Sequence, residues 1–296
     1  MKKFANWFVL WFKAARAPFL ITSLIPSILA GMIARSHGLF SWLPFVLATV
    51  GVVMAHSAGD FFDDYYDFKK GVLGHKDEQF HDSPLIDGKV TPGQVLAAGI
   101  GCAIVALACG AYFLFTVGLP VVYMAIAGGI IAVFYTAPPV SLNFRGFGET
   151  ALFFAFGPLV TLGVYVAMTG TFSYEALVAS IPLGLLTMNI GFISNIFDVP
   201  SDTQHEKITM AVRLGQKNSV VMLAIFEFLA FAVLGFGVII NLLPVWTLIA
   251  LIMLPLAASI IVATSKYQIQ GRYVVAMTQA IMLTTFVGIL MILGYI

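Results

Sequence analysis

The feature that most constrains this chain is its succession of long apolar runs, each bounded by charged residues or by Pro and Gly. Nine runs lie near 18–34, 42–59, 93–114, 119–136, 149–168, 176–197, 219–240, 244–264 and 273–295. A helix needs about 20 apolar residues to cross the hydrocarbon core of a bilayer. Nine crossings would therefore take about 180 residues, roughly 60% of this 296-residue chain. Only 10% of the residues are charged, against about 25% in an ordinary soluble domain, and the mean hydropathy is +0.98. A soluble globular enzyme and a disordered chain are both excluded. The expected fold is an all-α membrane protein, a nine-transmembrane-helix bundle forming one domain over 1–296.

Charge distribution sets the expected orientation. With the N-terminus cytoplasmic, fourteen of the fifteen Lys and Arg residues fall on the cytoplasmic side and only Arg35 on the other, a strong positive-inside bias. An odd number of spans then puts the C-terminus outside. Two long polar connections, 60–92 and 198–218, are expected as cytoplasmic cap loops. Residues 1–17 carry Lys2, Lys3, Lys13 and Arg16 among Trp7, Trp11 and other apolar residues, without a small-residue cleavage site. They are read as an interfacial helix lying on the bilayer rather than as a signal peptide. A net charge of +1 gives no basic surface for nucleic acid. Cys102 and Cys109, seven residues apart on one helix, would stand about 10 Å apart, too far for a disulfide.

The acids gather at one face. Of fourteen, only Glu175 falls outside and Glu227 inside a span. In the segment G-D-F-F-D-D-Y-Y-D-F-K-K-G (Gly59–Gly71), Asp60, Asp63, Asp64 and Asp67 share one face if the second span's helix continues. Such like charges repel, and bound cations offset that repulsion. Carboxylate oxygens holding Mg²⁺, completed by water and substrate phosphate, fit the pattern. A second cluster, N-I-F-D-V-P-S-D-T-Q-H-E-K-I-T-M-A-V-R-L-G (Asn195–Gly215), puts Asn195, Asp198 and Asp202 on one face, with the cations Lys207 and Arg213 following. Two acidic helix ends plus cations suit a metal-bound diphosphate. A cation transporter would more naturally set its acids near the midplane, in broken helices related by internal repeats.

These two motifs, with Y-T-A-P-P-V-S-L-N-F-R-G-F-G-E between them (Tyr135–Glu149), resemble the UbiA superfamily of intramembrane prenyltransferases over nearly the whole chain. Within it the pattern is most similar to the 1,4-dihydroxy-2-naphthoate prenyltransferases of menaquinone synthesis. The resemblance implies Mg²⁺-dependent transfer of a polyprenyl group from its diphosphate to an aromatic acceptor. It also implies a prokaryotic-type cell membrane as the location, with the active site facing the cytoplasm. The alternatives are a terpene cyclase or a lipid-ether prenyltransferase of the same superfamily.

Carried over by position, the resemblance makes Asp64 and Asp67 the first motif's metal ligands. A second register, with Gly59 at the motif's Asn, makes them Asp63 and Asp67. Asn195, Asp198 and Asp202 match the second motif, Lys207 and Arg213 its basic tail. Tyr135 is implied beside the diphosphate or the reacting carbon. Four departures stand out: Val140 and Ser141 where a basic residue is common, Ser83-Pro84-Leu85 for Arg-Pro-Leu, Glu206 for Gly, and Pro200 between the second motif's aspartates, where it is expected either to break the helix or to start a new short one. Arg145 is then the cation left for an acidic acceptor. His56, one turn before Asp60, is either a ligand or proton donor or a helix-packing histidine. Asn189 and Glu227, inside apolar spans, are either interhelical hydrogen-bonding groups or parts of a buried site. His75, His81 and His205 lack zinc-ligand spacing.

Overall fold

The computed structural model describes residues 2–73 and 83–296. His75, Lys76 and His81, in the expected 60–92 cap, lie outside the described residues. Among the described residues the regular structure is all helical. Of the helices within the described residues, eight are long and apolar enough to cross a membrane, and a further apolar helix, Leu119–Phe134, has 16 residues.

The chain opens with α1 (Lys2–Ala14), then a short 3₁₀ turn, Ala17–Leu20. Phe8, Val9 and Phe12 of α1 are exposed, whereas Trp11 turns inward to meet Phe61 edge-on at 6.2 Å. Next come α2 (Ile21–Ser36), α3 (Trp42–Lys69), α4 (Pro92–Thr116) and α5 (Leu119–Phe134). Thr91 and Gln94 form a reciprocal capping box that starts α4, with Pro92 pre-set for its first turn. Gly148–Thr169 is α6, interrupted by one π-helical turn, Ala155–Leu159. Then follow α7 (Tyr174–Gln204), the short α8 (Met210–Leu214), α9 (Gln216–Ile239), α10 (Leu254–Thr264, entered by the 3₁₀ stretch Val245–Met253) and α11 (Gly271–Leu293).

α7 is the central post. Leu183, Phe192, Ile193 and Ile196 are fully buried, and α6, α9 and α11 pack around the helix. The outward faces are apolar as well: Leu107, Phe115, Phe228 and Ile239 stand exposed, as lipid contact requires. Cys102 and Cys109 are free thiols.

Two expectations change. The polar connections do not begin at residues 60 and 198: α3 runs on to Lys69 and α7 to Gln204. At about 1.5 Å per residue, 28 and 31 residues give about 42 and 46 Å, more than the roughly 30 Å hydrocarbon core. Both acid-bearing helix ends can therefore project beyond the lipid. Pro200 does not break α7. Lacking an N–H, it leaves the carbonyl of Ile196 without its helical donor, and the side-chain amide of Gln216 donates to that oxygen at 2.9 Å.

Candidate active site

The C-terminal ends of α3 and α7 face each other across a polar cavity of about 540 Å³. Asp60, Asp63 and Asp67 line it from α3, and Asn195, Asp198 and Asp202 from α7. The two clusters expected to cooperate are thus brought together. Asp64 is not on the cavity wall; its carboxylate accepts from the Arg16 guanidinium. Arg16 also approaches Asp63 at 3.8 Å and itself lines the cavity. Asp63 and Asp67, the pair named by the second register, both line the cavity, as does Asp60. Asp67 Oδ1 is buried with no hydrogen-bond donor, and no three acidic, His or Cys side chains among the described residues enclose a cation by themselves. A hard oxygen donor set of that kind fits Mg²⁺, which characteristically takes one or two carboxylates and completes its shell with water and phosphate.

Cations divide into two groups. Lys207 is buried on the cavity wall, 3.7 Å from Asp202 Oδ1. Burial works against its charge, but the carboxylates of Asp67, Asp202 and Asp63 outweigh burial and hold the ammonium protonated well above the usual lysine range. Arg145 and Arg213, expected at the substrate, line neither the polar cavity nor the apolar groove beside it. Arg213 donates to the Arg145 carbonyl at 2.6 Å, and Arg145 to the Pro139 carbonyl at 2.8 Å. They brace the 135–148 loop from outside, because its carbonyls lack helical partners and guanidinium groups can reach them. Lys70 reaches the same loop, donating to the Thr136 carbonyl at 3.0 Å and to Ser141 Oγ at 3.3 Å. A cation therefore does stand beside Ser141, supplied by the residue that caps the end of α3. The loop is also tied to the acidic cluster, since Thr136 Oγ1 donates to Asp63.

Tyr135 lines the cavity where α5 ends. Its phenol is half-buried there and offers an O–H as hydrogen-bond donor. Asn195 is held by Glu149: Nδ2 donates to Oε1 at 2.9 Å, with both residues buried. Glu206, where a glycine is common in the resembling enzymes, adopts φ +55°, a conformation glycine takes without strain.

Joined to the polar cavity is an apolar groove of about 590 Å³ between α3, α4, α5 and α6. Along α3 it runs from Asp63 to Leu47, sixteen residues or about 24 Å of helix. Small residues keep it open, among them Gly51, Ala55 and Gly59 of α3 and Gly128, Gly129 and Ala132 of α5. His56 lines both spaces; its Nδ1 is 2.7 Å from Ser23 Oγ, and its Nε2 is 3.5 Å from Asp60. Asn189 and Glu227 are buried and line neither space, whereas His205 lines the polar one.

Arg16 and Glu149 were not singled out from the sequence. Arg16 reads there as one more positive-inside charge, although its position immediately before the first span is a usable signal. Glu149 closes the R-G-F-G-E segment, and only the fold shows that its carboxylate meets Asn195.

A helical bundle with an apolar groove opening onto a carboxylate-lined cavity is the architecture of an intramembrane lipid-diphosphate enzyme. The profile of the UbiA prenyltransferase family matches residues 24–279, and the chain belongs to that family, whose members are membrane-bound prenyltransferases. UbiA prenyltransferase domain-containing protein 1 of Homo sapiens is 29% identical over 233 residues, covering 76% of this chain and 68% of that protein. The Danio rerio protein of the same name is 30% identical over 236 residues, covering 76% and 68%. Among solved structures, one of a UbiA homologue from Archaeoglobus fulgidus bound to GPP and Mg²⁺ superimposes with a TM-score of 0.64 at 12% identity, covering 97% of this chain and 98% of that one. A digeranylgeranylglyceryl phosphate synthase structure gives 0.66 at 15% identity, covering 100% and 99%. Both structures are similar in fold.

Proposed function

We propose that this chain transfers a polyprenyl group from its diphosphate to an aromatic acceptor, using Mg²⁺ at the cytoplasmic face of the membrane. The observation that carries the reading is the junction itself: carboxylates from two separate helix ends line one polar cavity, and a long apolar groove leads away from it. A diphosphate with an apolar tail matches both spaces at once. The resemblance to naphthoate prenyltransferases favours a dihydroxynaphthoate acceptor and a prokaryotic-type cell membrane. The fourteen-to-one charge bias favours nine spans with the N-terminus and the acidic cavity on the cytoplasmic side.

In this reading Asp63 and Asp67 of α3 and Asp198 and Asp202 of α7 hold the metal–diphosphate. Bound Mg²⁺ neutralises the charge that develops on the leaving pyrophosphate. Lys207 and Arg16 donate to the phosphate oxygens, Asn195 is kept in register by Glu149, and Tyr135 offers its O–H where the two spaces meet. Asp64 stabilises Arg16 rather than the metal. Arg145 and Arg213 act on the loop, through which they position Tyr135 and Thr136. The groove walls exclude water, so the allylic cation survives until the acceptor ring attacks it.

Purified protein given Mg²⁺, a panel of prenyl diphosphates and dihydroxynaphthoate should yield a prenylated ring by mass spectrometry, with one pyrophosphate released per adduct. A hydrocarbon formed without acceptor would replace this reading with the cyclase one. Prenylation of a glycerol phosphate but of no aromatic ring would replace it with the lipid-ether one.

A further inference from the structure

The polar cavity and the apolar groove share six wall residues: His56, Asp60, Asp63, Tyr135, Leu152 and Phe156. If the diphosphate occupies the first space and the prenyl tail the second, the C1–O bond that breaks lies at this junction. The inference below therefore rests on the prenyl-transfer reading. Of the six, Phe156 alone is presented by a distorted backbone. It sits in the π-helical turn Ala155–Leu159, where the N–H of Val160 reaches back five residues to the carbonyl of Ala155. Pro158 inside that turn has no N–H for the ordinary helical bond. Such single π turns carry a local structural cost and recur at functional sites.

Neighbouring contacts fix where the turn points. Gly157 lies against Gly184 of α7 so closely that a Cβ on Gly157 would stand 2.9 Å from the Gly184 Cα. The helix face at residue 157 is therefore committed to α7, and residue 156 is carried round toward α3. There its ring meets the imidazole of His56 edge-to-face at 4.5 Å. The ring is thus held by backbone and neighbour before any substrate arrives, which is the condition for electrostatic stabilisation without reorganisation.

We propose that Phe156 is a catalytic residue whose ring face stabilises the allylic cation. The C1–O bond breaks and its electron pair leaves with the pyrophosphate. The positive charge spreads over C1 and C3 of the prenyl group, against the negative face of the ring. A ring carbon of the acceptor then gives its π pair to C1, and the proton displaced from that carbon passes to the released pyrophosphate. A packing residue would need only volume at this position. A cation-stabilising residue needs the aromatic quadrupole.

The experiment compares two ligands in the purified full-length protein with Mg²⁺ and pyrophosphate: a prenyl ammonium salt that mimics the allylic cation and a neutral isostere of the same shape. Each affinity is measured by titration calorimetry in wild type, Phe156→Leu and Phe156→Tyr. Phe156→Leu should weaken the ammonium ligand by about 10-fold, within the range of a desolvated cation–π contact, and the neutral one by less than about 2-fold. Phe156→Tyr should restore the preference. Taking the ratio of the two affinities within each variant cancels any loss of folded protein. An unchanged ratio in Phe156→Leu, or one that Phe156→Tyr fails to restore, overturns the role. A wild type that binds neither ligand refutes the prenyl-transfer reading on which the role rests.

Discussion

Replacing Lys207 by methionine tests whether the cavity's electrostatics are as tightly coupled as the geometry indicates. The ammonium is buried and lies 3.7 Å from Asp202 Oδ1, whose residue is also buried. At an effective dielectric of about 20, unit charges at that distance attract by about 4 kcal/mol. Removing one member of a buried pair costs about 3–5 kcal/mol, largely because the remaining charge is stranded. Lys207→Met and Asp202→Asn should each destabilise the protein by about that amount. The double variant should lose about 2–3 kcal/mol less than the sum, since the second substitution removes the stranded charge. Reversible unfolding in mixed micelles, run as a double-mutant cycle, reads the coupling directly. The sign with pH follows from the direction of the shift. A lysine whose pKa is raised on folding contributes stability that is complete below its ordinary value of about 10.4 and fades only as the pH rises beyond it. Lys207 itself therefore adds no pH dependence to the penalty between pH 6 and pH 8. A cost below about 1 kcal/mol, or additivity in the double variant, would refute the reasoning.

Asp63→Asn and Asp67→Asn should each lower kcat by about 10²–10³-fold, as for loss of a group that stabilises transition-state charge, while Asp64→Asn should mainly lower stability; steady-state kinetics beside unfolding separates the two. Glu206→Gly should raise stability by about 1 kcal/mol by relieving the left-handed backbone, a shift visible in a denaturation midpoint. Gln216→Ala should cost about 1 kcal/mol or more by orphaning the Ile196 carbonyl, and Pro200→Ala in the same background should recover most of it by restoring the helical donor. A cysteine at Gln204, with Cys102 and Cys109 changed to Ala, should react with an impermeant thiol reagent only from the cytoplasmic side; labelling from outside would contradict the orientation.

Runs of apolar residues showed where helices form, because lipid makes burial of the backbone compulsory. They did not show where α3 and α7 end, since both continue past the apolar stretch through acidic residues that neighbouring cations stabilise. Helical spacing grouped the four aspartates of α3 but could not rank them. At about 100° per residue, Asp64 and Asp67 lie only about 60° apart, and the partner that Asp64 takes instead of a place on the cavity wall is Arg16, forty-eight residues earlier. Pro200 reads as a breaker unless the Gln216 amide that satisfies Ile196 is known. The basic residues were legible as a set but not as individuals. Lys207 faces carboxylates, whereas Arg145 and Arg213 find loop carbonyls that no spacing rule announces. The π turn at Ala155–Leu159 follows from Pro158 together with the Gly157–Gly184 approach, of which the sequence displays only the first.

The central claim is that the ends of α3 and α7 form one metal-dependent diphosphate site. It is tested most directly by calorimetric binding of an unreactive prenyl thiolodiphosphate. The account predicts one ligand per chain in Mg²⁺, binding abolished by EDTA, and affinity reduced at least about 100-fold by Asp67→Asn on α3 and equally by Asp202→Asn on α7, each loss being worth about 2.7 kcal/mol. Binding that survives EDTA, or that one of the two substitutions leaves untouched, would contradict it.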